Sequence, residues 1–163
     1  MGSVPAAVTS GDFDGDGLPD LAVANSQSDT VSILRNTTPP GGAVATFQAQ
    51  PDVLVGDAPV DVTTARDQST GDLDVITANT LSDDLSVAVG NGDGTFAPPD
   101  SQGPVNGARL VAAGTISQGL LSGVGLVGGS GTDAALEILA GGCGCGGVFQ
   151  TLPLGGPPTG LAL

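Results

Sequence analysis

Apolar residues alternate with small or polar ones in short runs along this chain: Leu21-Val23, Val31-Ile33, Val60-Val62, Val75-Thr77, Leu85-Val87-Val89 and Leu136-Ile138. A period of two over five to seven residues marks a strand, and each run is bounded by clusters of Gly, Pro, Asn and Asp. No window carries apolar residues at i, i+3, i+4 and i+7 over three turns, so helix is not expected. The spacing predicts strands near residues 4–10, 20–25, 30–35 and 46–55, with later strands offset from these.

The strands themselves recur. The stretch PAAVTSGDFDGDGLPDLAVANSQSDTVSIL (Pro5–Leu34) returns 54 residues later as PVDVTTARDQSTGDLDVITANTLSDDLSVA (Pro59–Ala88), with Pro5 on Pro59, Val8 on Val62, Gly17 on Gly71, Asp20 on Asp74 and Asn25 on Asn79. A further shift of 49 carries Val62 to Val111 and Val75 to Val124, and Leu136 and Ile138 follow Leu85 and Val87 after two extra residues. Phe47, Phe96 and Phe149 recur at intervals of 49 and 53. Four strands per unit of about fifty residues describe a β-propeller blade, a four-stranded antiparallel sheet stacked on its neighbours. A β-sandwich is the rival all-β reading, since it too uses short, regularly spaced strands. The expected units are a first blade at 4–57, a second at 58–106, a third at 107–157 and the opening strand of a fourth at 158–163.

Composition agrees with a folded chain rich in turns. Gly and Pro number 28 and 12 of 163 residues. Leu, Ile, Val and Phe together make 42 of 163, above the roughly 20% below which a charged chain fails to bury a core. Trp, Tyr and His are absent, and the three cations are Arg35, Arg66 and Arg109. A His base, a Lys Schiff base and a Tyr acid are therefore excluded, and the chain is not expected to be an enzyme.

The formal net charge is −14, and residues 1–100 hold 15 of the 17 acids. Such a field repels phosphate backbones and anionic lipid, so neither nucleic acid nor a membrane surface is an expected partner. Residues 110–132 carry no charge, but their glycines and hydroxyl residues make a poor membrane span. Behind Met1-Gly2-Ser3 there is neither a basic nor an apolar stretch, so no signal peptide is expected in this chain.

Between the first two predicted strands lies Asp12-Phe13-Asp14-Gly15-Asp16-Gly17-Leu18-Pro19-Asp20. Carboxylates stand at positions 1, 3, 5 and 9 of nine residues, with Gly at 6. At about 5 Å and an effective dielectric near 20, each like-charge pair costs about 3 kcal/mol, so these groups converge only around a cation. Oxygen ligands without His or Cys select Ca²⁺. Gly17 permits the sharp reversal, the Leu18 carbonyl can add a ligand, and Phe13 is expected to pack inward. An EF-hand loop would need a bidentate Glu at position twelve, where this chain has Val23 in a strand pattern without flanking helices. The bland alternative is an acidic turn on a solvated edge.

VTSGDFDGDGLPDLAVANSQSDTVSIL, with GNGDGTF at 90–96, resembles the FG-GAP/VCBS repeats of integrin α-chain propellers and many secreted bacterial proteins. The resemblance implies propeller blades with Ca²⁺ in the loop joining a blade's first two strands, held by Asp12, Asp14, Asp16, Asp20 and the Leu18 carbonyl. It also implies a secreted, extracellular or cell-surface setting and a non-catalytic, calcium-stabilised binding or scaffold role in adhesion, with a protein or glycan as ligand. A glycan-binding lectin is the alternative, although Trp and Tyr, the usual sugar-stacking platforms, are missing. A non-catalytic part of a secreted hydrolase is a further one.

The other repeats depart from the pattern. The four ligand positions read Arg66, Gln68, Thr70 and Asp74 in the second repeat and Thr115, Ser117, Gly119 and Gly123 in the third, so one calcium site is expected. Arg66 offers a tethered positive charge that would stand in for the ion beside Asp74. Cys143 and Cys145, in GGCGCGG, are read as incidental thiols at a turn tip. Three blades fall short of the four to eight that close a propeller. Either parent-chain blades complete the ring, or copies associate, two of them making six blades as a homo-oligomer.

Overall fold

The computed structural model describes residues 2–67, 70–103 and 107–117, and the strands at 121–128, 135–140 and 148–153, with side chains through Ala113. Every regular element among the described residues is a strand. The first sheet holds β1 (Pro5–Gly11), β2 (Asp20–Asn25), β3 (Thr30–Asn36), β4 (Phe47–Ala49) and β5 (Val53–Leu54). The second holds β6 (Pro59–Arg66), β7 (Leu73–Asn79), β8 (Asp84–Ala88) and β9 (Asp100–Gln102). The third holds β10 (Leu110–Ser117), β11 (Leu121–Gly128), β12 (Ala135–Ala140) and β13 (Val148–Pro153). Neighbours in sequence are neighbours in each sheet, except that β5 pairs with β3, and all the pairings are antiparallel. This is the all-β architecture of propeller blades that the period-two pattern predicts.

The strand expected over 46–55 is two strands. β4 pairs with β3 through Leu34–Ala49 and Asn36–Phe47, and β5 pairs with the other end of β3 through Thr30–Leu54 and Val31–Val53. Pro51, between them, has no N–H to give to a ladder, so the pairing breaks there. The Gln50 amide still donates to the Ile33 carbonyl at 2.9 Å, which keeps the segment on the sheet.

The 54-residue repeat is visible in backbone detail. Val4 and Ala58 share positive φ values of 56° and 53°, and Asp29 and Asp83 share 54° and 52°. A left-handed residue ends each β2–β3-type turn, a place where Asp is tolerated better than most side chains. The Asp29 carboxylate accepts from the Ala58 amide at 2.8 Å, and Asp83 accepts from the Gly107 amide at 2.7 Å. The same turn therefore fastens each sheet to the start of the next. Ser32 Oγ accepts from the Gly2 amide at 3.1 Å, and its counterpart Ser86 accepts from Gly56 at 2.9 Å. Buried Asn25 and Asn79 tie these turns to the sheet, donating to Ser32 Oγ and Ser86 Oγ respectively.

Two apolar layers lie between the sheets. Phe13, Ala22, Ala24, Val31 and Ile33 of the first sheet meet Val62 and Val75 of the second. Ile76, Ala78, Leu85 and Val87, on the far side of the second sheet, meet Ala108, Val111 and Ala113. Alternation along β7 supplies both layers, Val75 to one and Ile76 to the other, which is why β7 is buried along nearly its whole length. Small residues at 22, 24 and 78 allow close approach of the sheets. Burying each Val, Leu or Ile contributes about 1.5–3 kcal/mol, so the layers dominate the stability of the stack.

Candidate metal centre

The loop of residues 12–19 leaves the end of β1 and returns as β2. Its turns are built from its own carboxylates. Asp12 accepts from the Gly15 amide at 2.8 Å and the Gly17 amide at 3.0 Å, one on each oxygen. Asp14 accepts from Asp16 N–H at 3.2 Å, and Asp16 accepts from Leu18 N–H at 2.8 Å. These short-range bonds fold the chain back on itself, and they need φ values of +75° at Gly15 and +84° at Gly17, a region open to glycine.

Two anchors hold the loop to the sheets. Phe13 is buried, as expected, and its ring meets Phe96 edge-on with centroids 5.5 Å apart and planes at 71°. The Gly94 amide of the second sheet's 90–96 turn donates to the Phe13 carbonyl at 2.9 Å. Asp20 is the second anchor, 1% exposed. One of its oxygens accepts from Phe13 N–H at 3.0 Å and the other from Asn36 N–H at 2.7 Å, joining the loop to the end of β3. Burial pushes the Asp20 carboxyl above the ordinary carboxylate range; the two N–H donors oppose that shift, and Asp14 and Asp16 add to it by repulsion.

The fold brings Asp12, Asp14 and Asp20 together, each offering an oxygen within 4.8 Å of the others. Asp16 stands outside this trio, exposed, with its oxygen on Leu18 N–H. Leu18 is half-buried in the same loop. A positive group meets the trio that the residue pattern did not reveal: Arg35, one residue before the Asn36 amide that binds Asp20, sets its Nε against Asp14 Oδ2. The Asp14 side chain is 4% exposed, and its Oδ2 has no hydrogen-bond donor besides this ion-pair contact. The alternation of β3 gave no hint of this pairing, because Arg35 follows four alternating residues and reads as a solvated strand end.

The second sheet keeps the anchor of this arrangement without its other carboxylates. Asp74, the counterpart of Asp20, is buried and accepts from Gly90 N–H at 3.0 Å, as Asp20 accepts from Asn36. Burial raises its pKa against that donor, with Asp67 and Asp72 adding to the rise. Arg66, at the position of Asp12, donates to the Gly71 carbonyl within the loop. In the third sheet, Thr115 and Ser117 lie within β10 and Gly123 within β11, with Ser117 paired to Leu121. The strands there cover 115–117 and 121–122, positions where the first sheet has a loop. Gln68, Gly119, Cys143, Cys145 and the segment 158–163 lie outside the described residues.

Residues 4–47 match the FG-GAP repeat family, a span that contains β1, β2, β3 and the whole acidic loop. No curated protein and no solved structure matches the chain significantly. The first sheet therefore carries an FG-GAP repeat, the family to which the GDFDGDG sequence points. Among the described residues, no helix is long and apolar enough to cross a membrane.

Proposed function

We propose that this chain is a non-catalytic, calcium-stabilised binding module whose sheets are propeller blades, at 4–57, 58–106 and 107–157. The observation that carries the ion is the convergence of the Asp12, Asp14 and Asp20 carboxylates within 4.8 Å. The donor set fits a hard cation: all the groups are oxygens, and Asp14 Oδ2, sheltered from water, has only the Arg35 guanidinium against it. Asp12, Asp14, Asp16, the Leu18 carbonyl and Asp20 would hold the ion. Its chemistry there is charge neutralisation, which lets the loop stay folded beneath the 90–96 turn.

Rigidity of that loop matters because the Phe96 ring and the Gly94 amide of the second sheet's 90–96 turn both rest on its Phe13. The module then presents loop ends of fixed shape, which suits adhesion to a protein ligand in an extracellular setting. Affinity for calcium in the range of about 10⁻⁴ to 10⁻³ M is expected for such modules. Isothermal titration of the protein with CaCl₂ tests the reading. Wild type should bind one ion, and Asp14→Ala should abolish saturable binding; binding retained in that variant would move the site elsewhere.

A further inference from the structure

β4 (Phe47–Ala49) ends the first sheet, and all of its residues are exposed. Its inner edge is taken up by β3. Thr37 N–H donates to the Thr46 carbonyl at 2.8 Å, and Gln50 N–H donates to the Ile33 carbonyl at 2.9 Å. Bonded and unbonded positions alternate along an antiparallel pair. Arg35 and Gln48 therefore face each other at a bonded position, whereas Phe47 and Ala49 stand opposite Asn36 and Leu34 at unbonded ones. The Asn36 amide follows this alternation, since it turns away from β4 to Asp20. The N–H and C=O groups of Phe47 and Ala49 accordingly point outward, along the free side of the sheet.

Charge on or beside an edge strand commonly keeps other chains from pairing with it. Residues 36–51 carry none, in a chain of net charge −14. β9, the counterpart edge of the second sheet, begins with Asp100. The edge of β4 thus offers a donor and an acceptor from each of two alternate residues, the pattern that an added strand requires. A helix does not fit it, because a helix spends its backbone groups internally. Three residues make a short template, so useful affinity needs a second contact beside them.

That contact is adjacent. From Gln50 onward the chain lines a pocket of about 330 Å³, walled by Pro51, Val53, Leu54, Phe96, Pro98 and Pro99. Proline fixes φ and has no N–H, so this wall is stiff and poor in donors, and it suits an apolar side chain. Leu54 is 71% exposed at its rim. Asp52, also on the wall, has the sign of the chain as a whole.

We infer that the outer edge of β4 and this pocket form one docking surface, for an extended cationic peptide segment of a partner protein. The segment's backbone pairs with Phe47 and Ala49 as an added strand, and one apolar side chain enters the pocket. A neighbouring lysine or arginine faces Asp52 and the acidic field around it. This names the partner class of the binding module proposed above and rests on that reading. It does not rest on the ion, because the 12–20 loop lines neither the edge nor the pocket.

A short capped peptide of alternating valine and arginine is the probe, titrated calorimetrically into the protein in chelator and in calcium. Wild type should bind it, and hydrogen exchange of the Phe47 and Ala49 amides should slow at least about tenfold. Ala49→Pro removes an outward N–H and no bond to β3, and should weaken binding about threefold to tenfold. Leu54→Ser, at an exposed position, should act in the same direction. N-methylation of alternate peptide amides, in one phase or the other, should abolish binding to the unaltered protein, and glutamate in place of arginine should weaken it at least about tenfold. Absence of binding at about 1 mM peptide would overturn the proposal, whether or not the protein takes up calcium. Equal binding by both N-methylated peptides, or unslowed exchange at Phe47 and Ala49 in the complex, would overturn it too.

Discussion

Replacement of Asp20 by Ala should destabilise the ion-free protein by about 2–4 kcal/mol. The carboxylate is 1% exposed and takes two backbone donors, Phe13 N–H at 3.0 Å and Asn36 N–H at 2.7 Å. Alanine would leave both without an acceptor in a site closed to water, at about 1–3 kcal/mol for each. Part of this is returned, because a buried anion repelled by Asp14 and Asp16 is also removed. Asp16→Ala is the internal control. Asp16 is exposed and takes one local N–H, so its loss should change stability by no more than about 0.5 kcal/mol without the ion. Urea denaturation in chelator, extrapolated linearly with unchanged m, gives both values. If the two variants were equally stable, Asp20 would be a ligand alone and not the loop's anchor.

Two further outcomes are expected. Arg35 presses on Asp14, so Arg35→Gln should tighten calcium binding about six- to tenfold, the size expected for a unit charge roughly 6–8 Å from a divalent ion at the dielectric of water; calorimetry showing equal or weaker affinity would mean that the guanidinium does not compete with the ion. Asp74 has a raised pKa in the folded chain, so its contribution to stability is complete below the ordinary carboxylate value of 3.8 and is lost as pH rises through the raised one. Urea denaturation in chelator from about pH 4 to 7 should therefore show a flatter profile for Asp74→Asn than for wild type, and parallel profiles would contradict that assignment.

The strands were legible because period two survives wherever one face of a sheet is apolar, and β2, β3, β7 and β8 all keep it. The acidic loop was legible for a different reason: aspartates spaced among glycines mark a turn, and the fold builds it from their bonds to local N–H groups. What escaped was set by tertiary position. The break at Pro51 hides within a run that otherwise reads as one strand. Asp20 and Asp74 look like a ligand and its remnant, yet both anchor the end of a neighbouring strand, through Asn36 N–H and Gly90 N–H. That role depends on a residue 16 positions further along, which no local pattern announces. Arg35 is the clearest case, a strand-end cation whose contact with Asp14 exists only once β3 lies beside the loop.

A crystal structure of the protein grown with millimolar calcium tests the central claim most directly. The account predicts one ion among Asp12, Asp14 and Asp20, with oxygens about 2.3–2.6 Å away and Arg35 withdrawn from Asp14. A loop in which the Arg35–Asp14 pair persists, with no ion among the three carboxylates, would contradict it.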